Sequence, residues 1–534
     1  MTQEIRIYGP PGTGKTTKLI NEVIPDAVNK HGAERVILCS FTKAAARELA
    51  SRLDIFSLPI TDDADPTVEG IRATTLHALC FSALGKPKLA TQYVNKWNEE
   101  NPHYCITSEG GGSGDAVEQR ISGSGDLLSQ CNILRNRLID PKTDPTLQDF
   151  YTKWCDWKTS RKILDFTDLI EQCIDRIFTP PGGATCIIVD EAQDCTPLQL
   201  KLIRFWAIQM QEIILALDDD QVLYGWSGVD PQLLVINKED KAVEKIVLSK
   251  SYRLPEQIWS YANNFIKQIK TREPKIFTHN GEVGEIVRVG YNYTNASNIV
   301  DLLLHYSTKG SVMIMGSCAY MVKPACDIMK ERGIPFSNPY RATDKAWNPC
   351  ETKGFKLIQS IREGEGFHVW GEFISKKFFR KDRTKKELEH ELDILYNRFQ
   401  TEDIDLKTAS FDLMNSFLHD EILEQLDAVW GDKAARIEWF IEHILDSERK
   451  KLTYALAYEA SHEKPTHPIY VGSIHSFKGG EAENVIVYPD LSYAAYQEYC
   501  TDIDSFIRLF YVAVTRAKQT LILAKPAGRH FVTL

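Results

Sequence analysis

Short apolar runs recur along the chain, each followed by a stretch whose apolar residues return at helical spacing. EIRIY (4–8) precedes TTKLINEVI (16–24), RVILCSF (35–41) precedes TKAAARELASRL (42–53), and GIRATT (70–75) precedes LHALCFSAL (76–84). TCIIVDEAQD (185–194), EIILALDDDQ (212–221) and EKIVLSKSYR (244–253) extend the series. Strands alternating with helices in this way predict a parallel sheet flanked by helices.

The pattern then restarts. SVMIMG (311–316) is followed by AYMVKPACDIMKERG (319–333), and far downstream come PIYVGSIHS (468–476), NVIVYP (484–489) and IDSFIRLFYVAVTRAKQTLILAK (503–525). This second α/β unit has no glycine-rich phosphate loop of its own. Two long segments interrupt the units and read as mostly helical. The first contains EGGGSGDAVEQRISGSGD (109–126), whose glycine and serine density predicts a flexible loop. The expected class is therefore α/β, with two parallel-sheet lobes that each carry a helical insertion. Residues 1–85 and 166–243 would form the first lobe and 86–165 its insertion; 244–354 and 466–534 would form the second lobe and 355–465 its insertion.

Composition narrows the setting. At 534 residues the chain is too long for one core, and 43% hydrophobic with 25% charged residues fits a water-soluble protein. No run approaches the roughly 18 apolar residues of a membrane span, so no membrane partner is expected. The opening MTQEIRIYG lacks a basic and apolar leader, so a cytoplasmic location is expected. Twelve cysteines fall without a CxxC pair or a nearby Cys/His cluster, which argues against zinc. A net charge of −10 argues mildly against nucleic acid, yet a local groove can still be basic. One such stretch, KKFFRKDRTKKE (376–387), reads either as a solvated helix face or as a grip on duplex phosphates.

Two motifs carry chemistry. GPPGTGKTT (9–17) lies between a strand and a helix, the setting of a phosphate-binding loop. Its residues Gly9, Pro10, Pro11, Gly12, Thr13, Gly14, Lys15, Thr16 and Thr17 are the candidate ATP cradle. Backbone N–H groups would hold phosphates, Lys15 would reach the terminal oxygens, and the Thr16 hydroxyl would face Mg2+. In IIVDEAQD (187–194), four apolar residues deliver Asp190 to a strand end, where it would join Thr16 around Mg2+. Glu191 beside it would orient and deprotonate the attacking water. Together these motifs specify nucleotide hydrolysis and leave open what it drives.

From here the chain resembles the UvrD/Rep-type helicases of superfamily 1, whose motifs it matches in order and spacing. SFTKAAARELASRL (40–53) and ATTLHALCF (73–81) look like two DNA-contacting motifs, with Phe41, Thr42 and His77 in the contact positions. DDDQVLYGWSG (218–228), LSKSYRLPEQI (248–258), GSIHSFKGGEAENVIV (472–487) and RLFYVAVTRAK (508–518) resemble the four that follow. The resemblance implies two RecA-like lobes, ATP with Mg2+, and movement on single-stranded DNA in the 3′-to-5′ direction with strand separation at single/double-strand junctions. Gln221 would sense the γ-phosphate, Arg253 and Arg516 would stabilise it, Tyr252 would stack on the base, and Glu481 would touch the ribose. Tyr224 and Trp226 would stack single-stranded bases, and His475 and Lys478 would touch the strand or couple it to the nucleotide. The acidic and amide end of DDDQ would thus face nucleotide while its aromatic end faces DNA. A monomer is expected, and an accessory protein is not identified.

This sequence departs from the family at two informative places. The family's upstream adenine-reading glutamine segment has no counterpart before Gly9, which leaves adenine preference to Tyr252, and Ser227 stands where the family carries an arginine. Three readings follow from the residues: a DNA-stimulated translocating ATPase, a ring-type assembly or switch ATPase suggested by GPPGTGKT, and a DNA clamp with vestigial hydrolysis. ATPase assays with and without single-stranded DNA separate them.

Overall fold

The computed structural model describes residues 2–40, 60–61, 70–106, 127–223, 228–236, 243–338, 347–348, 446–460 and 464–534, with isolated helical residues between 355 and 442. Seven strands form the first sheet: β1 (Gln3–Tyr8), β2 (Val36–Ser40), β3 (Ile60–Thr61), β4 (Ile71–Thr74), β5 (Cys186–Asp190), β6 (Glu212–Leu217) and β7 (Val243–Val247). Their spatial order is β3-β4-β2-β5-β6-β1-β7, and every pairing is parallel. The apolar runs are continuous because both faces are covered. On one face Ile7, Leu38, Ile188 and Ile214 pack against the helical stretch Lys15–His31. On the other, Ile37, Val189, Leu215 and Leu217 meet helices Leu76–Ala83, Phe166–Arg176 and Pro197–Ala207.

The second sheet holds β8 (Glu285–Arg288), β9 (Val312–Gly316), β10 (Ile469–Ser473), β11 (Ala482–Val487) and β12 (Ala517–Leu523), in the order β10-β9-β11-β12-β8. It is also parallel. Helices Glu256–Ile266 and Ile503–Val514 cover one face, Ala296–Ser307 and Ala319–Glu331 the other. The expected α/β class with two parallel-sheet lobes is what the fold contains. No helix among the described residues is long and apolar enough to cross a membrane.

One expected boundary moves. The division between 243 and 244 cuts β7, which pairs with β1 from Glu4↔Val243 to Tyr8↔Val247 and so belongs to the first sheet. The first insertion has its own core of Trp97, Phe150, Trp154 and Trp157, with Trp97 and Trp154 meeting edge to face at 5.0 Å. Arg135 and Lys158 dock it on the first lobe through Asp165 and Asp168, which start helix Phe166–Arg176. The expected flexible loop at 109–126 and the basic stretch at 376–387 lie outside the described residues.

The order β5-β6-β1 is what builds a site. It sets the loops after these three strands side by side at the C-terminal edge of the sheet, where open parallel sheets bind ligands.

Candidate nucleotide-hydrolysis site

The loop after β1 closes on itself through Thr13, whose backbone N–H and hydroxyl both donate to the Pro10 carbonyl (3.1 and 2.8 Å). Gly12 and Gly14 sit at φ 73° and 75°, the left-handed region that a side chain strains to adopt. A Cβ on Gly12 would also lie 2.3 Å from the Arg253 Cβ, so the loop needs glycine there twice over. The segment after β7 is tied to the same loop. Tyr252 N–H donates to the Gly12 carbonyl at 2.8 Å, and the Ser251 hydroxyl donates to the Pro11 carbonyl at 2.7 Å.

Lys15 opens the helix and reaches the turn after β5, its Nζ 3.1 Å from Glu191 Oε2. Burial disfavours its charge, but Glu191, Asp190 and Asp218 outweigh that and raise its pKa. Asp190 closes β5 almost fully buried; burial and then Glu191 push its carboxyl up to about 6, with Lys15 and Thr16 among the groups that oppose the rise. Thr16 lies close enough to act on Asp190, and the oxygen-only donors of the two side chains suit Mg2+. Burial also opposes the charge of Glu191, yet Lys15 and Lys478 hold it down at about 2, so it is a carboxylate at neutral pH. Its backbone is left-handed at φ 53°, a strained conformation of the kind kept at functional sites.

Gln221 and Arg516 meet across the lobes. Arg516 Nη2 donates to Gln221 Oε1 at 2.8 Å, while its Nε and Nη1 donate to the Val512 and Gly480 carbonyls. Gln221 in turn donates to Asp218 Oδ2 at 2.6 Å. Burial and then the neighbouring Arg253 lower the Arg516 pKa to about 9, which leaves it protonated at neutral pH. Arg253 donates to Glu481 at 2.7 Å. Glu481, expected at a ribose, thus pairs with Arg253 and with Lys518. Tyr252 is 70% exposed beside the loop, with Lys250 over its ring. Thr17 is exposed.

Phe41, Thr42, Tyr224 and Trp226 lie outside the described residues. His77 is partly buried, its ring edge-on to Phe166, and burial pushes its pKa down to about 4. It therefore offers no cation to a phosphate at neutral pH. Burial and then Lys478 push His475 to about 4 as well. Lys478 contacts Asp194, tying the second lobe to the strand end that carries Asp190.

Three residues join the site without having been expected. Gln193, fully buried, donates to Glu191 and accepts from the Asp218 backbone N–H at 3.1 Å, linking the ends of β5 and β6. Asp194 receives Lys478, and burial pushes its carboxyl up to about 6. Lys275 bonds to Asp218, Asp219 and Asp220 together at 2.6, 2.5 and 2.7 Å. The expectation that these acids face nucleotide is corrected accordingly: they are neutralised by Lys275 and Arg272, and the amide of Gln221 is what points onward. The signal for Gln193 lay within DEAQD; a lone lysine in TREPK gave none.

The fold also brings His31, Cys186 and Glu212 together at the opposite end of the sheet. There His31 already bonds to Thr185 and Glu212, and Glu212 to Lys30.

Comparison with known proteins agrees with this geometry. A family model described as the UvrD/REP helicase N-terminal domain matches residues 1–242, and one described as the UvrD-like helicase C-terminal domain matches 468–524. The chain is 25% identical to ATP-dependent DNA helicase Rep of Buchnera aphidicola, over 64% of this chain and 55% of that protein. It is 25% identical to ATP-dependent DNA helicase PcrA of Bacillus subtilis over 51% of this chain and 38% of that protein. With ATP-dependent DNA helicase UvrD2 of Mycobacterium tuberculosis it shares 22% identity over 97% of this chain and 76% of that protein. The chain thus spans about half the length of Rep and less of PcrA.

Proposed function

The chain belongs to the UvrD/Rep-type helicase family, and on that premise we propose that it is an ATP-dependent DNA helicase. It would translocate 3′ to 5′ on single-stranded DNA and act at single/double-strand junctions, as a monomer in the cytoplasm. The observation that carries this reading is the contact between Arg516 of the second lobe and Gln221 of the first, beside Lys15 and Glu191. Hydrolysis then depends on the lobes being closed, and closure can be cycled into movement. A ring-type assembly ATPase takes its arginine from a neighbouring subunit; here the same chain supplies two.

In the proposed mechanism the loop 9–17 binds ATP phosphates, Lys15 and Arg516 offset charge on the transferring phosphoryl group, and Glu191 accepts the proton of the attacking water. Thr16 and Asp190 would hold Mg2+, which when bound neutralises phosphate charge. Tyr252 would stack on the base, with Arg253 and Glu481 at the sugar and phosphate edge. The first lobe would extend through Val247 before the chain enters the second.

ATPase assays with and without single-stranded DNA test the core of the reading: strong stimulation is expected, and its absence would return the chain to the switch or clamp class. Direction is tested on duplexes carrying one tail. Unwinding should start from a 3′ tail; efficient unwinding from a 5′ tail alone would reverse the assignment.

Leu223 is buried in the second lobe's core, and a Cβ on Gly228 would lie 3.2 Å from Asn136 of the first insertion. The DNA path itself is proposed from the aromatic pair in DQVLYGWSG. Trp226→Ala should weaken single-strand affinity by about 1–3 kcal/mol, and Trp226→Phe should recover most of it, because a π-face remains. Fluorescence anisotropy with a labelled oligonucleotide reads both. Unchanged affinity in Trp226→Ala together with a lower melting temperature would assign the ring to the core.

A further inference from the structure

The three carboxylates after β6 are wholly buried, and a single lysine side chain, 1% exposed, touches all of them. Arg272 adds a second cation, but to Asp220 alone (Nε to Oδ1, 2.8 Å). Three adjacent buried carboxylates cannot all stay ionised without such a shared cation. Lys275 is therefore what allows Asp218 to remain an acceptor at both oxygens.

Both Asp218 oxygens are in use. Oδ1 receives Lys275 Nζ at 2.6 Å, and Oδ2 receives the Gln221 amide at 2.6 Å. With the carboxylate plane pinned from one side, the Gln221 side chain is held so that its Oε1 meets Arg516. The Asp218 backbone reaches the other half of the site, because its N–H donates to Gln193, which donates to Glu191.

Lys275 itself sits on a strap that belongs to both lobes. The strap follows helix Glu256–Ile266, whose Ile258, Ala262 and Phe265 share a core with the second lobe's helix Ile503–Val514. It then runs along the first lobe, where Lys245 donates to the Pro274 carbonyl at 2.8 Å and Ser251 N–H to the Thr278 carbonyl at 2.8 Å. Arg508 on the second-lobe helix joins the two, donating to the carbonyls of Asp219 and Thr271.

We propose that Lys275 is a positioning residue of the hydrolysis site, aiming Gln221 through Asp218 and passing the placement of the second lobe to that amide. This rests on the hydrolysis reading above and extends it to a residue outside the motifs. A salt-bridge clamp needed only for folding would share the same contacts, so the test must separate the two.

The measurement is steady-state ATPase with saturating single-stranded oligonucleotide, with a melting temperature for each protein. The variants are Lys275→Met, Gln221→Ala, Lys275→Met with Gln221→Ala, and Lys275→Met with Asp219→Asn. The last removes one charge of each sign, and Asp219 accepts from Lys275 and the Glu273 N–H rather than from Gln221, so the fold is kept in balance. Lys275→Met should lower kcat about tenfold with KM for ATP within about twofold of wild type. Added to Gln221→Ala it should lower kcat by less than about twofold, because the amide it acts through is gone. Lys275→Met with Asp219→Asn should regain melting temperature but not kcat. Recovery of both, or effects that multiply in the Gln221→Ala background, would reduce Lys275 to a fold clamp. A wild type that hydrolyses no ATP would instead overturn the hydrolysis reading, and this inference with it.

Discussion

Glu191→Gln is expected to bind ATP within about twofold of wild type and to hydrolyse it on the order of 10²–10⁴-fold more slowly, the usual contribution of a positioned general base. The size of the effect follows from what the substitution keeps. Glutamine fills the same volume at the strained turn after β5 and retains an oxygen for Lys15, 3.1 Å away in the native site. It loses the negative charge that can take a proton from water. Lys15 and Lys478 hold Glu191 ionised against the cost of burial, so at neutral pH the native side chain is ready as an acceptor without a prior deprotonation. Single-turnover hydrolysis beside nucleotide-binding titrations checks this. Turnover near wild type in Glu191→Gln would move the base elsewhere, and loss of nucleotide affinity in step with turnover would make Glu191 a binding residue.

The parts of the site that sequence exposed are those whose chemistry is local. A glycine-rich loop between a strand and a helix, or two acids closing an apolar run, occupy consecutive residues, and the parallel order β5-β6-β1 had only to set them side by side. What sequence hid depends on distant partners. DDDQ read as a nucleotide-facing acidic turn because the cations that bury it, Lys275 and Arg272, come from a loop more than fifty positions away with no motif of its own. Lys478 read as touching the strand or coupling it to the nucleotide, and His77 as a DNA contact; their partners Asp194 and Phe166 come from other parts of the chain, which no local motif names. Strand β8 escaped notice because EIVR is short and half-exposed at a sheet edge, where no continuous apolar run is required.

Arg516→Ala should produce the largest loss in the protein, about 10³–10⁵-fold in kcat, the range found when the arginine that meets the transferring phosphoryl group is removed. Its side chain is 2% exposed and fixed at three points: the carbonyls of Val512 and Gly480 in its own lobe and Gln221 in the other. Holding the guanidinium in place in advance means that little has to reorganise when charge develops on phosphate. Arg516→Lys should recover only a small part, since one ammonium cannot reach three acceptors lying in different directions. Arg253 is half-buried and already paired with Glu481, so Arg253→Ala should cost less. Alanine at 516 also takes the arginine's donor from the buried Gly480 carbonyl, which costs about 1–3 kcal/mol of stability, while the Val512 carbonyl keeps the Thr515 hydroxyl at 3.1 Å; melting temperature has to be read beside kcat. If Arg516→Ala lowers melting temperature but keeps DNA-stimulated turnover within tenfold of wild type, the arginine is a staple between lobes. If turnover collapses while ATP affinity and fold survive, lobe closure and hydrolysis are one event, joined at Gln221.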